Sequence, residues 1–92
     1  LAAIVYEWDE DKRLVNLRKH GVDFAAVEEF AWEYSLTEED AVVGYGEQRM
    51  VSIGPIGLRI HVLVWTGRGD RIRVISLRLA TRAERRRHEQ EF

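Results

Sequence analysis

The chain has 92 residues, no cysteine, one proline and 46% hydrophobic residues, the size of a single domain over residues 1–92 and too short for two cores. A third of the residues are charged, yet the apolar content is that of an ordinary soluble domain, so the composition of intrinsic disorder is missing. The longest uncharged stretch, Met50 to Leu58, is far short of the roughly 18 apolar residues of a membrane span. With no disulfide framework and no secretory pattern in Leu1 to Tyr6, a cytoplasmic setting is expected.

The net charge of −2 conceals an asymmetry. Leu1 to Glu47 carries four basic against twelve acidic residues, and Gln48 to Phe92 carries ten arginines against Asp70, Glu84, Glu89 and Glu91. The halves can pair with each other, or the all-arginine half can serve phosphate or carboxylate partners through its planar donors.

In chain order, Ile4 to Trp8 is a short β-prone entry. Asp9 then stands as an N-cap with Glu10 and Asp11 in the first turn, which predicts a helix over about Glu10 to Lys19. Gly21 supplies the left-handed position that ends it. Asp23 caps a second element in which Phe24, Val27, Phe30, Ala31 and Tyr34 recur on one face, the pattern of an amphipathic helix.

Beyond Glu38-Glu39-Asp40 the period changes. Ala41 to Tyr45, Gln48 to Ile53, Leu58 to Thr66 and Arg71 to Leu79 are rich in Val, Ile and aromatics. They are separated by Gly46-Glu47, Gly54-Pro55-Ile56-Gly57 and Gly67-Arg68-Gly69-Asp70, which read as turns. Connections this short predict a four-stranded antiparallel meander. In the third strand Leu58, Ile60, Val62 and Val64 form the core face, opposite an amphipathic face of Arg59, His61, Leu63 and Trp65. Strict alternation in the last strand sets Ile72, Val74, Ser76 and Arg78 against Arg71, Arg73, Ile75, Leu77 and Leu79. Thr81 and Glu84 form a capping box that opens a terminal helix with almost no apolar face, a helix that is solvated, loosely held or docked on a partner. The fold class is therefore α+β: a short N-terminal strand, two helices, the meander and a C-terminal helix.

His20, His61 and His88 lie on separate elements without metal-ligand spacing, and no thiol or serine elbow is present, so neither a metal, a cofactor nor a covalent nucleophile is expected. The remaining inventory is a basic sheet with a histidine and carboxylates, which suits RNA. Cleavage by RNA's own 2′-OH needs a base, cations around the phosphate and an acid for the leaving 5′-oxygen. Arg49, Arg59, Arg73 and Arg78 can supply the cations, His20 and His61 can move protons, and Glu47 can act as base or hold an arginine. His20 equally suits a helix end, His61 a strand surface and Glu47 a turn.

Trp8-Asp9-Glu10, then Lys12, Asn16, Lys19-His20-Gly21 and Phe24, resembles the N-terminal signature of the BrnT toxins of bacterial type II toxin–antitoxin pairs. Glu47-Gln48-Arg49 with Gly54, and Arg73-Val74-Ile75-Ser76 with Arg78, Ala80 and Glu84, is similar to that family's strand-to-helix ending. The resemblance spans about residues 6 to 88. It implies a RelE-like fold, a ribonuclease that arrests translation, and neutralisation by a BrnA-like antitoxin whose dimer carries two toxins and alone contacts operator DNA. By motif position it implies His20, Glu47, Arg49 and Arg78 as catalytic residues and Lys19, Arg73 and Ser76 as substrate-binding ones. Leu77 and Leu79 replace a small and a basic residue of the usual pattern, and His88 stands where Tyr is common. These departures favour the alternative, a toxin-fold module that binds its antitoxin without turnover.

Overall fold

The computed structural model describes residues 3–40 and 48–92. In chain order the elements are β1 (Val5–Glu7), α1 (Glu10–His20), two 3-10 helices (Phe24–Glu29 and Trp32–Tyr34), β2 (Leu36–Glu39), β3 (Met50–Ile56), β4 (Arg59–Arg68), β5 (Arg71–Leu79) and α2 (Arg82–Glu91). Among the described residues the strands form one five-stranded sheet in the order β1-β5-β4-β3-β2, antiparallel except for the β1–β5 pair.

The mixed α+β class holds, whereas the strand count and order depart from a four-stranded meander. The N-terminal strand joins the sheet, parallel to β5 through Val5, Tyr6 and Glu7. An acidic segment, Leu36–Glu39, pairs with β3 although its sequence is not β-prone, because Leu36 and Thr37 find partners in Ile53 and Ser52. The strand expected over Ala41 to Tyr45 and the turn at Gly46-Glu47 lie outside the described residues. The stripe of Phe24, Val27 and Phe30 is buried as expected, but the backbone forms two 3-10 helices rather than one α-helix. Phe30 leaves the helical path to make an isolated bridge with Ile56. The predicted turn at Gly54-Pro55-Ile56-Gly57 is strand as far as Ile56, and the chain reverses at Gly57, where φ is 59°.

The main core lies on the side of the sheet that carries Leu63, Val74 and Leu77, covered by Phe24, Val27 and Phe30. The expected core face of β4 is buried only in part: Val62 is buried, but the main core takes the opposite face, where Leu63 is fully buried, and Leu58 is fully exposed. Trp65 is packed against the same core, where its Nε1 donates to the buried Ser52 hydroxyl at 2.9 Å. Ile53, Val62 and Ala80 form a smaller cluster on the opposite side.

There α2 runs against β3 and is firmly held despite its polar sequence. His88 is buried with Nε2 on the Tyr34 carbonyl at 2.6 Å and stacks on Phe92, and Arg87 pairs with Glu38. Leu77 is core, and Leu79 pairs with His61 on the side away from Arg78. Neither leucine therefore thins the charge on the face that Arg78 occupies. None of the described helices is long and apolar enough to cross a membrane.

Candidate functional site

The site is shaped by one irregularity in β5. Val64 pairs with Ser76 and Trp65 with Val74, which leaves Ile75 as an extra residue. A bulge of this kind resets side-chain alternation. Val74 and Leu77 consequently both enter the core, while Arg73, Ser76 and Arg78 share the opposite face, whereas strict alternation separates Arg73 from the other two. Arg73 and Arg78 stand about 16 Å apart along the strand at ~3.3 Å per residue.

Helix α1 borders this face. Asp9 caps its start by accepting from the Lys12 N–H at 3.1 Å, and Gly21, at φ 72°, closes its end. Because β1 pairs with β5 only up to Arg73, the edge of β5 beyond that point is open to α1. The Asn16 side chain fills the gap: Nδ2 donates to the Leu77 carbonyl at 2.7 Å and to the Val22 carbonyl at 3.0 Å, and Oδ1 accepts from the Leu77 N–H. Lys12, Asn16 and His20, and likewise Asp11, Val15 and Lys19, recur every four residues and so face β5 together. With Ile75 and Ser76 they line an open hollow of about 300 Å³.

Three of the seven candidates, Lys19, His20 and Ser76, thus line one hollow, and Arg78 is close enough to act on His20 electrostatically. Burial, reinforced by the charges of Lys19 and Arg78, holds His20 below its ordinary pKa. Arg78 makes a bidentate pair with Glu84, Nη1 to Oε1 at 2.8 Å and Nη2 to Oε2 at 2.9 Å, and Nη1 also donates to the Leu79 carbonyl. These contacts take three of the five guanidinium donors. Glu84 is drawn down to about 2 by the hydrogen bonds from Arg78 and further by those at Thr81, against the opposing effect of burial.

Arg73 reaches Glu7 at 3.3 Å. Arg49 is exposed just before β3, one step beyond the Met50–Trp65 pair, which sets it at the Arg73 end of the face and away from His20. Glu47 lies outside the described residues. His61 is buried on the core side with Nδ1 on the Arg59 carbonyl, and both residues face away from Ser76 and Arg78. Among the described residues no three His, Asp or Glu are grouped to hold a metal ion.

A family model for the ribonuclease toxin BrnT of type II toxin–antitoxin systems matches residues 8–84. The chain belongs to that family. A search of the curated proteins found no match. For a BrnT toxin the structure separates two kinds of motif residue. Asp9, Asn16, Gly21 and Phe24 build and dock α1, whereas Lys12, Lys19, His20 and Ser76 line the hollow. Nothing in the sequence singles out Asp11, Val15 or Ile75 for the site beyond the four-residue spacing of Asp11, Val15 and Lys19. Glu84 as the partner of Arg78 carries no sequence signal either, because the pair joins a strand to the next helix and follows no single period. As a member of this family the chain is a ribonuclease toxin with an antitoxin partner.

Proposed function

We propose that this BrnT toxin is an endoribonuclease of RelE-like arrangement that cuts mRNA by attack of the substrate's own 2′-OH, without a metal, and so arrests translation. The observation that carries the reading is the face where the β5 bulge aligns Arg73 with Ser76 and Arg78, the latter two beside Lys19 and His20. With its pKa held below the usual value, His20 is a neutral imidazole at pH 7, able to accept the 2′-OH proton. The 2′-oxygen bonds to phosphorus, and the bond from phosphorus to the 5′-oxygen breaks. Arg78 and Lys19 offset the charge that develops on the phosphoryl oxygens, while Ser76 donates to one of them and Arg73, further along the strand, binds a neighbouring phosphate. The leaving 5′-oxygen takes a proton from solvent, and the products are a 2′,3′-cyclic phosphate and a 5′-OH. Arg49 holds the RNA backbone at the far end of the face.

The cytoplasmic partner is a BrnA-like antitoxin, whose dimer carries two toxins and contacts operator DNA itself. Incubating the purified toxin with RNA in EDTA tests the reading. Cleavage that is lost in Arg78→Ala and His20→Ala variants of unchanged circular dichroism is expected; undiminished cleavage in both removes these residues from the mechanism. A second reading, a binding module without turnover, draws on the Arg78–Glu84 pair, which occupies the guanidinium the reaction needs. It predicts no cleavage and tight antitoxin binding.

A further inference from the structure

The hollow between α1 and β5 has features that phosphate binding does not use. Its middle is apolar: Val15 is half exposed on the helix, and Ile75, the bulge residue, projects into the same space. Its volume of about 300 Å³ sits at the lower end of small-molecule sites, the size range of one planar ring system. At the α1 N-terminal end the hollow is lined by Asp11 and Lys12, an acceptor and a donor. At the other end are Lys19 and His20, the groups assigned above to the phosphate and the proton.

From these positions we infer that the hollow receives the base of a nucleotide adjoining the scissile phosphate and that Asp11 and Lys12 select guanine. The inference rests on the ribonuclease reading and adds a base preference to it. Single-stranded RNA is read by packing an unstacked base on side chains and hydrogen-bonding its Watson–Crick edge. Val15 and Ile75 provide apolar surface for the ring faces. Guanine alone presents two adjacent donors, N1–H and the N2 amino group, beside an acceptor, O6. A carboxylate accepts both donors and an ammonium reaches the acceptor. Cytosine and adenine offer a carboxylate one amino donor beside a bare ring nitrogen, whose lone pair repels the second carboxylate oxygen. Uracil offers a single N–H between two acceptors.

The bulge links this site to the chemistry. The same extra residue that turns Arg73 toward Ser76 and Arg78 also presents Ile75 to the hollow, so base and phosphate are positioned by one backbone feature.

Two measurements test the inference. In the first, RNA oligonucleotides that differ in a single base beside an otherwise constant step are cut by the wild type and by Asp11→Asn. The wild type is expected to favour guanine by about 10-fold or more, the discrimination typical of a bidentate base contact, and the variant is expected to lose that preference. Cleavage with the same base preference in both proteins overturns the guanine site and leaves the ribonuclease reading standing.

In the second, the four nucleoside monophosphates are titrated into the wild type while the methyl resonances of Val15 and Ile75 are followed. GMP is expected to shift them at the lowest concentration, and Asp11→Asn to remove its advantage. Equal responses to all four nucleotides overturn the inference. A wild type that cuts no RNA yet selects GMP at these methyls overturns the ribonuclease reading and keeps the guanine site.

Discussion

The Asn16 side chain occupies the place of a strand beside Leu77, with its amide oxygen on the Leu77 N–H and its amide nitrogen on the Leu77 carbonyl at 2.7 Å. Both residues are buried, so a change at Asn16 leaves backbone groups without water or protein partners. Asn16→Ala is expected to destabilise the fold by about 2–4 kcal/mol, since each orphaned buried group costs roughly 1–3 kcal/mol. Urea unfolding measures this. Because Asn16 lies between Lys12 and His20 on the helix face that meets β5, cleavage should fall more steeply than stability alone explains.

The Arg78–Glu84 pair makes stability depend on acid. The folded-state pKa of Glu84, about 2, lies below its ordinary value of 4.5, so the folded carboxylate binds its proton less readily than the unfolded one. Its contribution is complete above pH 4.5 and is lost as the pH falls from 4.5 toward 2. The loss should be about 2 kcal/mol after allowing for partial solvent exposure. Glu84→Gln should flatten this part of the stability profile, which thermal melts at a series of pH values will show.

In the proposed mechanism the depressed pKa of His20 sets the pH dependence of cleavage. A base must be unprotonated to work, so the rate should be level through neutrality and fall on an acid limb below pH ~6.5. His20→Ala should lower the rate by about 10²–10⁴-fold and abolish the limb. A limb that survives in the variant assigns the proton to another group.

Gly54 shows how tightly β3 meets the first layer of the core. A Cβ there would stand 2.8 Å from the Phe30 ring and 2.9 Å from the Ser35 Cβ. Gly54→Ala should therefore cost about 1–3 kcal/mol by forcing the ring aside. Gly57→Ala meets no neighbouring atom and tests instead the left-handed backbone of the β3–β4 turn. Chemical denaturation of both variants separates the two causes.

Local signals were legible in the residues themselves. Asp9 and Gly21 bound α1 because capping depends on groups within a few positions, and Thr81 with Glu84 starts α2 for the same reason. The motif order from Trp8 to Glu84 carried the family. Of the site, Lys19, His20 and Ser76 do meet around one hollow, and Arg78 lies near them.

What the tertiary structure alone decided are relations between distant segments. The Ile75 bulge depends on how β5 pairs with β4, and no periodic reading of β5 places Arg73 on the side of Ser76 and Arg78. The faces of β4 were ambiguous because Leu63 and Val62 are equally apolar, and the choice fell to the side that Phe24, Val27 and Phe30 cover. The Asn16–Leu77 bonds span 61 positions, and the parallel β1–β5 pair joins the start of the chain to its last strand. Capping and amphipathic period act over one turn or one strand, so sequence reveals them. Register, edge satisfaction and the meeting of α1 with β5 are settled by the whole sheet packing at once.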